Sequence, residues 1–129
     1  MSSKPHIFPF SIAYADTDAG GIVYHARYIE MAERARMLWL NNKVPTNGDV
    51  GFVIRELHMK YKKPLKLADE FVIESILTDV GNASLKVEQK FIKDGEVHAI
   101  MTGSAAYIGA DLKPKKISDE MLDALEWTK

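Results

Sequence analysis

Tyr14-Ala-Asp16-Thr-Asp18-Ala-Gly20-Gly21-Ile-Val23-Tyr24-His25-Ala-Arg27-Tyr28-Ile-Glu30-Met31-Ala-Glu33-Arg34-Ala-Arg36 opens at the end of a strand-like run and closes inside a helix. Two carboxylates stand two residues apart, and a Gly-Gly pair follows that lets the backbone turn through conformations closed to larger residues. Downstream the period changes. Tyr28, Met31, Ala32, Ala35, Leu38 and Trp39 recur at spacings of three and four. They predict a helix from Arg27 to Asn41, beginning near Val23 to Arg27, with those residues on one face. Glu30 and Arg34, four apart with the acid first, fall on the other side. At ~1.5 Å per residue the helix is about 22 Å long, enough to cross several strands. Asn41-Asn42-Lys43 and then Pro45 stop it.

Before this stretch, residues 7–15 read as a strand entered through Pro9, which suits an edge or a strand entrance. Beyond it, Thr46 to Gly51 is loop, and the period then becomes two. Phe52 to Lys63 reads as a long strand with Val53, Leu57, Met59 and Tyr61 on one face, ended by Pro64. Phe71 to Thr78 and Ser84 to Ile92 follow, with turns at Ala68-Asp69 and Gly81-Asn82. Asp94-Gly95 is the strongest short hairpin signal in the chain. It leads into Val97 to Ile108, whose Gly103, Ala105 and Ala106 imply close packing. Ser118 can cap a short last helix, with Asp119 and Glu120 suited to its first turn. One long helix and an antiparallel sheet must bury their apolar faces on each other, so the chain reads as one α+β domain over 1–129.

Composition narrows the function classes. There is no cysteine, which excludes disulfides, thiolate metal sites and a cysteine nucleophile, and suits a reducing compartment. A net charge of −1 argues against a general nucleic-acid binder. No apolar run approaches the ~20 residues of a membrane span, and the N-terminus lacks the apolar core of a signal peptide. The expectation is a soluble cytoplasmic protein. There is no Gly-x-Ser-x-Gly nucleophile elbow and no phosphate-binding Gly-rich loop. His6, His58 and His98 are scattered without metal-ligand spacing, so no metal is expected.

The chemistry concentrates in the opening stretch. A carboxylate held near the unpaired N–H groups that begin a helix can act on a carbonyl carbon while the amides hold the oxygen. Asp18 is the first candidate, as nucleophile or as general base for water; the plainer reading is an aspartate that bonds its own turn. Asp16 is expected to brace the loop rather than react. It would share a face with Tyr14 and Asp18 if the strand ran on. The His25 imidazole could orient water or move a proton, or could simply pack or cap. Glu33, Arg34 and Arg36 read as salt-bridge formers or as residues reaching a neighbouring subunit. Lys60-Tyr61-Lys62-Lys63-Pro64-Leu65-Lys66 is a basic cluster, either a solvated strand end or a phosphate contact.

The run Tyr14-x-Asp16-Thr-Asp18-x-x-Gly21-x-Val23-Tyr24-His25-x-x-Tyr28, followed by Glu33-Arg34-Ala-Arg36, resembles the signature of the hotdog-fold acyl-CoA thioesterases. It is similar to the 4-hydroxybenzoyl-CoA thioesterase-like branch that includes the YbgC family. The resemblance implies a central helix wrapped by a curved five-stranded antiparallel sheet. It implies Asp18 as the catalytic carboxylate, the His25 backbone N–H as oxyanion donor, and Tyr14 paired with the His25 side chain. Gly21, Val23 and Tyr24 would meet the substrate, and Lys60, Lys62 and Lys63 the phosphates of coenzyme A. The expected substrate is a short- to medium-chain or aromatic acyl-CoA, with an acyl carrier protein as alternative donor. No cofactor is expected, coenzyme A being part of the substrate. The expected assembly is a homodimer, paired again into a tetramer. A hotdog module that only binds acyl-CoA or an acyl carrier protein is the competing reading; a hotdog dehydratase ranks last, because the motif is not the dehydratase signature.

Overall fold

The computed structural model describes residues 2–41 and 46–128. Five strands make one antiparallel sheet: β1 (His6–Ser11), β2 (Gly51–Tyr61), β3 (Glu70–Val80), β4 (Ser84–Lys93) and β5 (Glu96–Ile108). Their spatial order is β1-β3-β4-β5-β2, so β1 and β2 are the two edges. The helix α1 (His25–Arg36) lies on one face, and a short α2 (Asp119–Ala124) follows the last strand. The Ser118 side chain accepts a hydrogen bond from the Met121 N–H at the start of α2, the cap its sequence calls for. Ser2–Ser3 pairs with Trp127–Thr128, clipping the two ends of the chain together.

The core forms where helix and sheet meet. Tyr28, Met31, Ala32, Ala35 and Trp39 are buried from the helix side, against Phe71, Ile73, Leu77, Leu85, Val87, Phe91 and Met101 from the strands. Burying one such large apolar side chain contributes about 1.5–3 kcal/mol. Leu38, expected on this face, is only half-buried, while Leu40 is buried instead. The cause is a change of helix: Met37–Asn41 continues α1 as a wider π-turn. More residues per turn suit the four-residue steps from Ala32 through Arg36 to Leu40. The stop signals Asn42, Lys43 and Pro45 lie outside the described residues.

Two strands depart from the sequence reading. The first ends at Ser11 rather than residue 15, and Tyr14–Asp16 forms a single 3₁₀ turn. The Asp16 carboxylate accepts from the Ala13 N–H at 2.8 Å and closes that turn, so Tyr14, Asp16 and Asp18 do not share a strand face. In β2 the register with β5 shifts between Ile54 and Glu56. This bulge reverses the alternation. Phe52 and Ile54 pack towards the core before it, and Met59 does so after it. Val53, predicted to share a face with Leu57, Met59 and Tyr61, therefore faces the other way. Gly103 sits opposite the bulge, where a Cβ would lie 2.9 Å from the Glu56 carbonyl oxygen and 3.0 Å from Leu57. That is the close packing its small-residue run implied. At the β4–β5 hairpin Asp94 and Gly95 both take positive φ, as a tight primed turn requires.

Candidate active site

The loop between β1 and α1 is tied to itself and to the segment before β3. Asp18 N–H bonds the Ile22 carbonyl and Thr17 bridges Val23, making a small hairpin with Gly21 at its tip region in the left-handed conformation (φ +78°). Val23 N–H donates to the Leu65 carbonyl, and Leu67 N–H to that of Gly21. Val23 is itself buried among core residues, so its predicted contact with substrate reduces to forming one wall.

Asp18 is exposed, and its Oδ1 accepts from the Gly20 N–H at 2.8 Å and the Ile22 N–H at 3.3 Å. The turn-bonding reading is thus correct for one oxygen. Oδ2 accepts no hydrogen bond among the described residues and stays available for chemistry. Asp16 braces the loop: its Oδ1 pairs with Arg27 Nε at 2.8 Å, and Arg27 also reaches Glu30 at 2.7 Å. Burial raises the Asp16 carboxyl, but the Ala13 N–H and the Arg27 guanidinium outweigh it and hold the group below its ordinary value.

α1 begins at His25 with no side chain capping it. The first N–H groups of a helix have no intrahelical acceptor, so this end carries free donors and the positive end of the dipole. The His25 carbonyl accepts a hydrogen bond from the Tyr61 hydroxyl at 2.9 Å. Tyr61 packs edge-on against Tyr28 (ring centroids 5.1 Å apart), whose hydroxyl accepts from the Leu65 N–H at 3.1 Å. The end of β2 therefore fastens the start of the helix. Sequence reading placed Tyr61 only on a strand face. Its signal was an aromatic set within a basic cluster.

A cavity of about 260 Å³ opens here, lined by Ile22, Val23, His25, Tyr28, Tyr61, Lys62, Lys63 and Pro64. It brings together His25, Val23, Lys62 and Lys63 of the predicted residues. Asp18 does not line it, but its Oδ1 accepts from the N–H of Ile22, which does. Tyr14, 83% exposed, Gly21, Tyr24 and Lys60 do not line it. Lys63 forms an ion pair with Glu96, while Lys60 and Lys62 form none among the described residues. No group of three or more potential metal ligands occurs among the described residues. No described helix is long and apolar enough to cross a membrane.

A carboxylate in the loop that leads into uncapped helix-terminal amides, next to a cavity of apolar, aromatic and basic side chains, is an arrangement suited to acyl transfer. Comparison with known proteins agrees. The model of the thioesterase-like superfamily matches residues 12–125. The chain is 36% identical over 93 residues to the acyl-CoA thioesterase YbgC of Haemophilus influenzae, covering 67% of this chain and 68% of that protein. It is 34% identical over 97 residues to the acyl-CoA thioester hydrolase YbgC of Escherichia coli O6:H1, covering 71% and 72%. The structure of BH1999, a gentisyl-coenzyme A thioesterase, superposes with a TM-score of 0.81 at 28% identity, over 89% of this chain and 98% of that one. The chain belongs to the thioesterase-like superfamily and is a YbgC-like hotdog thioesterase.

Proposed function

We propose that the protein hydrolyses a short- to medium-chain or aromatic acyl-CoA to the free acid and coenzyme A. The observation that carries the mechanism is the Asp18 carboxylate, one oxygen tied to its turn and bonded to Ile22 of the cavity wall, in the loop that leads into the uncapped start of α1. The thioester carbonyl oxygen accepts from the His25 N–H, which stabilises the charge it gains. Asp18 attacks the carbonyl carbon or takes the proton of an attacking water. The coenzyme A thiolate then leaves, a good leaving group near neutral pH that needs no strong acid beside it. Where Asp18 was the nucleophile, water then hydrolyses the mixed anhydride, which frees the acid and restores the carboxylate. The His25 ring is exposed and free to orient water. Lys60 and Lys62 serve the coenzyme A phosphates as point charges.

The reading includes a homodimer, with pairing of dimers into a tetramer, and a cytoplasmic location. β2 is an eleven-residue edge strand, and Val53, Leu57 and Tyr61 along it are 43%, 39% and 46% exposed. A long edge carrying apolar side chains is a template for a second strand. Two-fold pairing through β2 would run the two strands antiparallel, extend the sheet through both copies and cover these residues.

The test is thiol release from acyl-CoAs running from acetyl to palmitoyl, with benzoyl and 4-hydroxybenzoyl included. Asp18→Asn should lower kcat by about 10²–10⁴-fold on the best substrate. A variant as active as the wild type would remove Asp18 from the chemistry. No release by the wild type would favour an acyl carrier protein donor or a binding module.

A further inference from the structure

We infer that the cavity under the C-terminal half of α1 receives the acyl group, and that Arg36 at its floor selects acyl groups ending in a second carboxylate. This rests on the thioesterase reading and on the pairing through β2.

The cavity measures about 290 Å³ and is lined by apolar side chains that include Leu40, Phe52, Ile54, Leu85 and Val87, together with Arg36 and Glu33. Arg36 is only 8% exposed. Its Nη1 donates to Gln89 Oε1 at 3.0 Å and approaches Met101 Sδ at 3.6 Å. Gln89 is held in that orientation because its Nε2 donates to the Ala32 carbonyl and the Ser75 hydroxyl, both at 3.0 Å. Among the described residues its hydrogen-bond acceptors are neutral. Among the described residues no carboxylate forms an ion pair with it, and Glu33 acts on it only through space, from an exposed position. Burial correspondingly pushes the Arg36 guanidinium below its ordinary value, with Glu33 opposing. A buried cation whose hydrogen bonds all go to neutral groups is costly, and a carboxylate arriving through the cavity would offset that cost with two-pronged hydrogen bonds.

Arg36 lies eleven residues beyond His25, about 16 Å along the helix, so one copy's oxyanion donors do not serve its own cavity. Two-fold pairing through β2 resolves this. The start of β2, where Phe52 and Ile54 line the Arg36 cavity, would lie beside the end of β2 in the second copy, where Tyr61 lines the other. Each active site would then take its carbonyl chemistry from one copy and its acyl pocket from the other.

The experiment compares kcat/KM for adipoyl-CoA and hexanoyl-CoA, which share a chain length and differ in the terminal carboxylate. The wild type should favour adipoyl-CoA by about tenfold or more, and Arg36→Met should abolish or reverse that preference. Equal or greater activity on hexanoyl-CoA, or a preference that survives in Arg36→Met, would overturn the inference. Should the variant not fold, or should no thioester be hydrolysed, thermal shifts of the wild type with free hexanoate and the neutral hexanamide at matched ionic strength decide. A larger rise with hexanoate upholds the carboxylate site and equal rises refute it, whatever becomes of the thioesterase reading.

Discussion

The two ends of α1 are built on opposite principles. At the N-terminal end polar groups are left open: the helix is uncapped, one Asp18 oxygen is free, and the His25 ring is exposed. Support comes from behind, through Tyr61 on the His25 carbonyl and Asp16 on Arg27. At the C-terminal end the polar groups turn inward, and Arg36, Gln89 and Ser75 are buried between helix and sheet. Reactivity is cheap to keep where water can satisfy what the protein does not. A buried network must satisfy its own members, and stability is concentrated there.

Substitutions at the two ends should therefore separate activity from stability. Asp18→Asn, which loses the most activity, should leave the denaturation midpoint almost unchanged, since an amide oxygen can still accept from Gly20 and Ile22. Gln89→Leu should do the reverse, leaving Arg36 only the Met101 sulfur and taking a donor from the Ala32 carbonyl and the Ser75 hydroxyl. A loss of about 3 kcal/mol in urea unfolding is expected, with a Tm lower by about 10 °C. A loss under about 1 kcal/mol would show that the network relaxes and the contrast is false.

Tyr61→Phe probes the support behind the open end. It keeps the ring contact with Tyr28 and removes only the hydrogen bond to the His25 carbonyl. Unfolding free energy should fall by under about 1 kcal/mol, while kcat drops several-fold, about 3–10, with KM little changed. An unchanged kcat would make Tyr61 a packing residue alone.

The smallest effect concerns Asp16. Its folded value lies below the ordinary 3.8, so the stability it contributes is present above that pH and is lost as pH falls through the folded value. Arg27→Met removes the guanidinium that lowers it. The variant's Tm should then fall less steeply than the wild type's on acidification below about pH 4. Parallel curves would show that the Ala13 N–H alone sets the carboxyl.

Much of this was legible in the chain. The period of the helix, the strand alternation, Asp94-Gly95 and Ser118 each act through local stereochemistry, and each forms the expected element. The motif from Tyr14 to Tyr28 located the loop and the helix start. What escaped is what depends on partners distant in sequence. The Arg55 bulge reads as ordinary alternation until β5 is placed beside it, with Gly103 at the contact. The 3₁₀ turn at Tyr14 is held by Asp16, whose second bond goes to a helix residue eleven positions on. Arg36 reads as a salt-bridge former or a residue reaching a neighbouring subunit because its partner, Gln89, lies 53 residues away on a strand.

The pairing of β1 with β3 bears on how the protein is made. His6 is matched to Ser75 and Ser11 to Glu70, so β1 leaves the ribosome long before its partner β3 and has no place to dock until that strand has followed. The reactive loop hangs between that waiting strand and α1, and its fastenings at Leu65, Lys66 and Leu67 arrive just as late. Long-range closures of this kind are slow compared with the hairpins of β3, β4 and β5. Catalytic competence should thus appear near the end of folding, and a nascent chain stopped after β2 would carry the whole recognition motif with nothing yet to shape it.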